Sequence, residues 1–81
     1  MTAKEIADAA WAAFRANTLR LIEERDISLG KLADLLGLKY PTVHELLHGP
    51  NYPSHMTKAR VCAVLGVTMA EILSEKCSQD T

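Results

Sequence analysis

His44-Glu45-Leu46-Leu47-His48 reads HELLH, an instance of the pattern H-E-x-x-H. On a helix, two imidazoles four residues apart face the same way and can hold a zinc ion, with the glutamate between them as general base. A catalytic zinc needs a third protein ligand and an open position for water. His55 is the only other imidazole, and Glu71 the only downstream carboxylate in the part expected to fold. An 81-residue chain with no expected sheet has little with which to wall off a substrate cleft. The chain is therefore read as non-enzymatic, with no catalytic residue, no metal and no cofactor. Chelation of a transition metal by the bare histidine pair is still chemically open to it.

Helical phase divides the motif. Val43, Leu46 and Leu47 fall on one side and must face a core; Pro41, His44, Glu45 and His48 fall on the opposite stripe, at i, i+3, i+4 and i+7. The Leu pair anchors the helix, and His44, Glu45 and His48 face outward. What they meet depends on the elements around them.

The length suits one small domain of marginal stability. Apolar residues make up 48% and charged residues 23% of the chain, a globular balance. Ala and Leu dominate and β-branched residues are sparse, which favours an all-α core. The net charge is −1 but is unevenly spread. Between residues 28 and 60, Lys31, Lys39, Lys58 and Arg60 stand against Asp34 and Glu45, a local +2; the rest of the chain carries −3. A mildly basic middle can meet a polyanion. Cys62 lies in an apolar helical pattern and Cys77 in a polar tail; the pair does not read as a disulfide framework, and a reducing cytoplasm fits best. No apolar leader follows the first residues and no apolar run reaches membrane-spanning length.

Five helices are predicted. Thr2 to Glu5 is a capping box, opening a long helix to about Arg25 that could kink or re-cap near Asn17-Thr18. Ser28 caps a second, Leu29 to Leu36, stopped by Gly37. A third runs from Tyr40 to His48, with Pro41 in its first turn, and a fourth from Ser54 or His55 to Leu65, stopped by Gly66. Thr68 to Glu71 is a second capping box, for a short helix to about Ser74. Residues 1–74 read as one domain with residues 28–48 as its helix-turn-helix, and residues 75–81 as a frayed polar tail.

Two short helices joined by a glycine-containing turn make the helix-turn-helix arrangement. The string SLGKLADLLGLKYPTVHELLHGPNYPS, from Ser28 to Ser54, resembles the Cro/lambda-repressor-like (XRE-type) family. Leu32-Ala33, Gly37-Leu38, Thr42-Val43, Leu46, Gly49 and Pro53-Ser54 carry the likeness; Leu65-Gly66-Val67-Thr68 and Glu71-Ile72-Leu73 match the family's closing pattern. The resemblance covers about residues 17–74. It implies a compact five-helix lambda-repressor-like domain, here with an extended N-terminal helix.

It implies sequence-specific binding of double-stranded DNA by a cytoplasmic regulator. The third helix would lie in a major groove and a homodimer would read a pseudo-palindrome, as a repressor does. By position, Tyr40, Pro41, Thr42, His44 and Glu45 would touch bases, and Ser28, Lys31, Lys39, Asn51, Tyr52 and Lys58 phosphates. Three features depart from the family. Leu29 stands where Gln often binds phosphate. Ile22 and Leu47 stand where many members pair an Arg with a Glu, so packing should replace a buried ion pair. The reading face is poor in Arg, Gln and Asn, which implies modest affinity aided by dimerisation. A second class of function fits the same scaffold: a protein-interaction module, antitoxin-like or regulator-binding, using the acidic or Trp11/Phe14 surfaces. Trp11 and Phe14 themselves either pack internally, the favoured reading, or form a dimer interface.

Overall fold

Thr2 begins the fold as the sequence requires: the Glu5 N–H donates to Thr2 Oγ1 at 3.1 Å and the Thr2 N–H to Glu5 Oε1 at 2.8 Å. The computed structural model describes residues 2–50 and 52–74. In chain order its helices are α1 (Ala3–Glu24), α2 (Leu29–Leu36), α3 (Tyr40–His48), α4 (His55–Leu65) and α5 (Met69–Leu73). No strand occurs among the described residues, so the chain is all-α as composition suggested. Asn51, residues 75–81 and Cys77 among them lie outside the described residues.

Three of the four connections share one three-residue pattern, preceded at the α1–α2 connection by the C-cap Arg25. A residue in the left-handed region ends the helix, an apolar residue follows, and an N-cap starts the next helix: Asp26-Ile27-Ser28, Gly37-Leu38-Lys39 and Gly66-Val67-Thr68. The apolar residue donates its N–H back to the helix, Ile27 to Ile22 O at 2.8 Å, Leu38 to Ala33 O at 3.0 Å and Val67 to Cys62 O at 3.1 Å. These are the 6→1 bonds of the Schellman motif. Ile27, Leu38 and Val67, each partly buried, all pack against the core, so each turn is bonded and anchored at once. Gly37 at φ 72° and Gly66 at φ 70° occupy the left-handed region freely, whereas Asp26 at φ 57° relies on the tolerance of short polar side chains for it.

One core cluster joins all five helices, from Phe14, Leu21 and Ile22 of α1 to Ile72 of α5. Phe14 is fully buried, and Trp11, half-buried, stacks on it with centroids 5.8 Å apart. The aromatic pair thus packs within the chain, in favour of internal packing over an exposed interface patch. Ile22 and Leu47 are both buried in the cluster, so packing does occupy the place of an ion pair. Cys62 is buried too; burial, reinforced by the Glu71 charge and opposed by Lys58, pushes its thiol pKa up and makes it a small hydrophobe.

The long first helix forms as read, and the kink or second cap that Asn17-Thr18 could have made does not occur: α1 is continuous through both. Asn17 is in the helix for a tertiary reason. Its Nδ2 donates to the Ile72 carbonyl at 2.8 Å and to the Ser74 carbonyl at 2.7 Å, meeting the unsatisfied carbonyl end of α5. The other end of α5 is held by the capping box of Thr68 and Glu71. Bonds from Thr68 keep the Glu71 carboxyl below the usual carboxylate range. The box is therefore intact at neutral pH and is lost as pH falls through that lowered value.

Thr18 is fully buried, and its Oγ1 has no hydrogen-bond partner among the described residues. Thr18→Val should raise stability by about 1 kcal/mol, because it removes an unmet buried hydroxyl at nearly constant shape. Asn17→Ala, one residue away, should lower it by roughly 1–3 kcal/mol by orphaning carbonyls at the end of α5. Urea unfolding of the two variants checks this through the opposite signs; a loss in both would contradict the assignment for Thr18.

Candidate nucleic-acid interface

Ser or Thr caps every described helix except α3. Thr2, Ser28, Ser54 and Thr68 each accept a backbone N–H at the start of α1, α2, α4 and α5. Lys39 sits at the α3 N-cap and makes no side-chain cap bond. Pro41, second in the helix, removes one donor; the other first-turn amides keep no side-chain cap. A lysine in the one place where the other helices use a hydroxyl gives up local stability and sets a cation beside a helix N-terminus. Departures of this kind gather at functional sites.

The buried face of α3 is Val43, Leu46 and Leu47, as its phase required. Tyr40, Pro41, Thr42, His44, Glu45 and His48 are all exposed. They form two stripes. Tyr40, His44 and His48 form a ladder up the helix, Tyr40 stacked on His44 with centroids 6.4 Å apart and His44 tilted against His48 at 4.8 Å. Thr42 and Glu45 instead line a cleft with Tyr52, Pro53 and Thr57, between α3 and the segment leading into α4. The Glu45 carboxylate lies against Gly49, where an added Cβ would collide with it.

Two residues ahead of the helix-turn-helix fix this face. Arg15 of α1 donates from Nε to the Leu47 carbonyl at 2.6 Å, meeting the carbonyl end of α3 with a cation where the helix dipole favours one. The same guanidinium lies over the Trp11 ring, 5.1 Å from its centroid, and the Tyr52 ring meets Trp11 at a tilt with centroids 5.6 Å apart. Tyr52, Trp11, Arg15 and Leu47 O therefore form one continuous chain of contacts. It ties the segment after α3, and the end of α3 itself, to the long first helix. Arg25 repeats the device by donating to the Leu65 carbonyl at the end of α4.

The structure brings some of the sequence-derived site residues together and leaves others apart. Thr42, Glu45 and Tyr52 share one cleft. Tyr52 and Lys58 share another, with Ala7, Ala10, Trp11 and Pro53. Ser28 and Lys31 stand at the start of α2, where the Lys31 N–H donates to Ser28 Oγ at 3.0 Å, so the hydroxyl is engaged as a cap. Asn51 lies outside the described residues. Sequence reasoning missed the positioning role of Arg15 and Trp11; the one signal was their i, i+4 spacing beside the buried stripe. Among the described residues no three His, Cys, Asp or Glu side chains gather, so neither His55 nor Glu71 completes a zinc site with the HELLH pair. None of the described helices is long and apolar enough to cross a membrane.

Comparison with protein families matches the chain to the Cro/C1-type HTH DNA-binding domain over residues 19–77. Comparison with curated proteins and with solved structures gives no match. Trp11 and Arg15 lie ahead of the matched span, which takes in α2 to α5 and the end of α1.

Lys39→Ser should stabilise the fold by about 1 kcal/mol, the ordinary worth of a hydroxyl N-cap, and should weaken DNA binding in the same protein. Thermal unfolding and anisotropy with labelled duplex measure the two effects. A fall in stability, or DNA binding left unchanged, would show that Lys39 is not set for function.

Proposed function

From the premise that the chain belongs to the Cro/C1-type helix-turn-helix DNA-binding family, we propose that it is a cytoplasmic repressor that occupies a pseudo-palindromic operator. The family match supports a DNA-binding regulator. The observation that carries it is the exposed outer face of α3, with its core side buried, its carbonyl end clamped by Arg15, and an uncapped lysine at its start.

On this reading α3 enters a major groove and α2 crosses the backbone. Thr42 meets a thymine methyl and Glu45 accepts from cytosine N4, while Tyr40, Pro41 and His44 border the same bases. Lys39, Lys31, Lys58, Ser28, Asn51 and Tyr52 face phosphates and set the register. A homodimer places two α3 helices one DNA turn apart, about 34–36 Å, and doubles a modest contact into a useful one. Regulation is by occupancy, with no chemical step. The domain comprises residues 1–74, with Trp11 and Arg15 as part of its working structure.

Selection of bound sequences from random duplex DNA tests this. The expected outcome is an inverted repeat whose preferred bases change in Thr42→Ala or Glu45→Ala. Lys39→Ala should weaken binding to every sequence and reduce the slope of log affinity against log salt by about 1, the loss of one phosphate contact. No enriched sequence, together with one stoichiometric protein partner, would instead favour the interaction-module reading.

A further inference from the structure

The HELLH pair takes no part in a zinc hydrolase, yet the fold leaves it in a defined arrangement. His44 and His48 are both exposed, and their rings already face one another across a single helical turn with centroids 4.8 Å apart. Tyr40 stacks on the far side of His44 at 6.4 Å and braces that ring. His48 is the last residue of α3, where the carbonyl end of the helix attracts positive charge. The Glu45 carboxylate lies at the same end, against Gly49.

We propose that His44 and His48 form a bidentate site for one divalent transition-metal ion of the nickel, copper and zinc class, with water completing the coordination. Imidazole nitrogen suits these metals and not calcium or magnesium. Ligation at about 2.0–2.1 Å from each nitrogen needs only rotation of two rings that are already neighbours. The absence of a third gathered ligand among the described residues makes the site open and exchangeable, unlike a structural zinc. His55 offers the internal contrast. It is exposed as well, but it opens α4, at the helix end that disfavours a cation, and it has no imidazole neighbour in a ring contact. The ion would sit on the face proposed to meet DNA, but the site is argued from the imidazoles alone and holds whether or not α3 reads bases.

Calorimetric titration of the untagged full chain with Ni²⁺, in a buffer that does not bind metal, tests the site without DNA. Wild type and His55→Gln should each take up one ion per chain. His44→Gln and His48→Gln should each bind at least roughly tenfold more weakly, because the second imidazole's high effective concentration is lost. Helix content without metal, read by circular dichroism, should be equal in all four proteins, since the substituted side chains are exposed. Metal should raise the unfolding temperature of wild type and not of His48→Gln, as an ion binding only the folded helix must. Wild-type affinity equal to that of His44→Gln or His48→Gln, or lost instead in His55→Gln, would overturn the proposal.

Discussion

Helix ends that stop inside a small domain leave carbonyl groups without partners, and this structure answers that constraint from one element. α1 and its C-cap residue send three polar side chains to the carbonyl ends of three other helices: Arg15 to α3, Arg25, the C-cap, to α4 and Asn17 to α5. Each bond spans more than thirty residues of chain, so each is tertiary, not local. At α2, Gly37 and Leu38 close the end by backbone bonds, as Gly66 and Val67 do at α4 beside the Arg25 bond. The long first helix is thus more than an apolar wall. It holds the axial positions of α3, α4 and α5 through bonds whose loss would cost roughly 1–3 kcal/mol each.

The same helix makes the exposed face of α3 possible. Apolar packing of Val43, Leu46 and Leu47 fixes which side of α3 looks outward, but packing alone tolerates sliding along the axis. The Arg15 bond to the Leu47 carbonyl removes that freedom, and the Trp11 contact with Tyr52 extends the hold to the following segment. Many family members place an ion pair where Ile22 and Leu47 are buried here. An apolar exchange there gains packing and avoids desolvating two charges. The orienting polar bond has not vanished with it, since a cation from α1 still reaches the backbone of Leu47.

Much of the architecture was legible from local signals. The two capping boxes, Thr2 with Glu5 and Thr68 with Glu71, form as written, and the apolar phase of α3 correctly split HELLH into buried leucines and exposed His, Glu and His. Gly37 and Gly66 announced their turns. The equivalent turn at Asp26 was less visible because an aspartate, not a glycine, takes the left-handed position. Asn17-Thr18 could also have capped a new helix, and only the arrival of Ile72 and Ser74, far along the chain, shows why Asn17 is buried within α1. The bond from Arg15 to the Leu47 carbonyl likewise depends on a partner 32 residues away, which local spacing does not reveal. The candidate site was legible as a list of exposed residues on α3, but its division into an aromatic ladder and a separate Thr42–Glu45–Tyr52 cleft depends on side-chain directions that spacing does not give.

The central claim is that α3, held in place by α1, presents its outer face to DNA. The most direct measurement is a map of backbone amide chemical shifts in isotopically labelled protein on addition of a selected duplex. The expected result is a continuous set of large changes from Lys39 to His48, with smaller ones at Tyr52 and Lys58 and little along the exposed first turns of α1. Changes centred instead on the groove of Leu19, Ile27 and Leu29 between α1 and α2, with α3 silent, would contradict it.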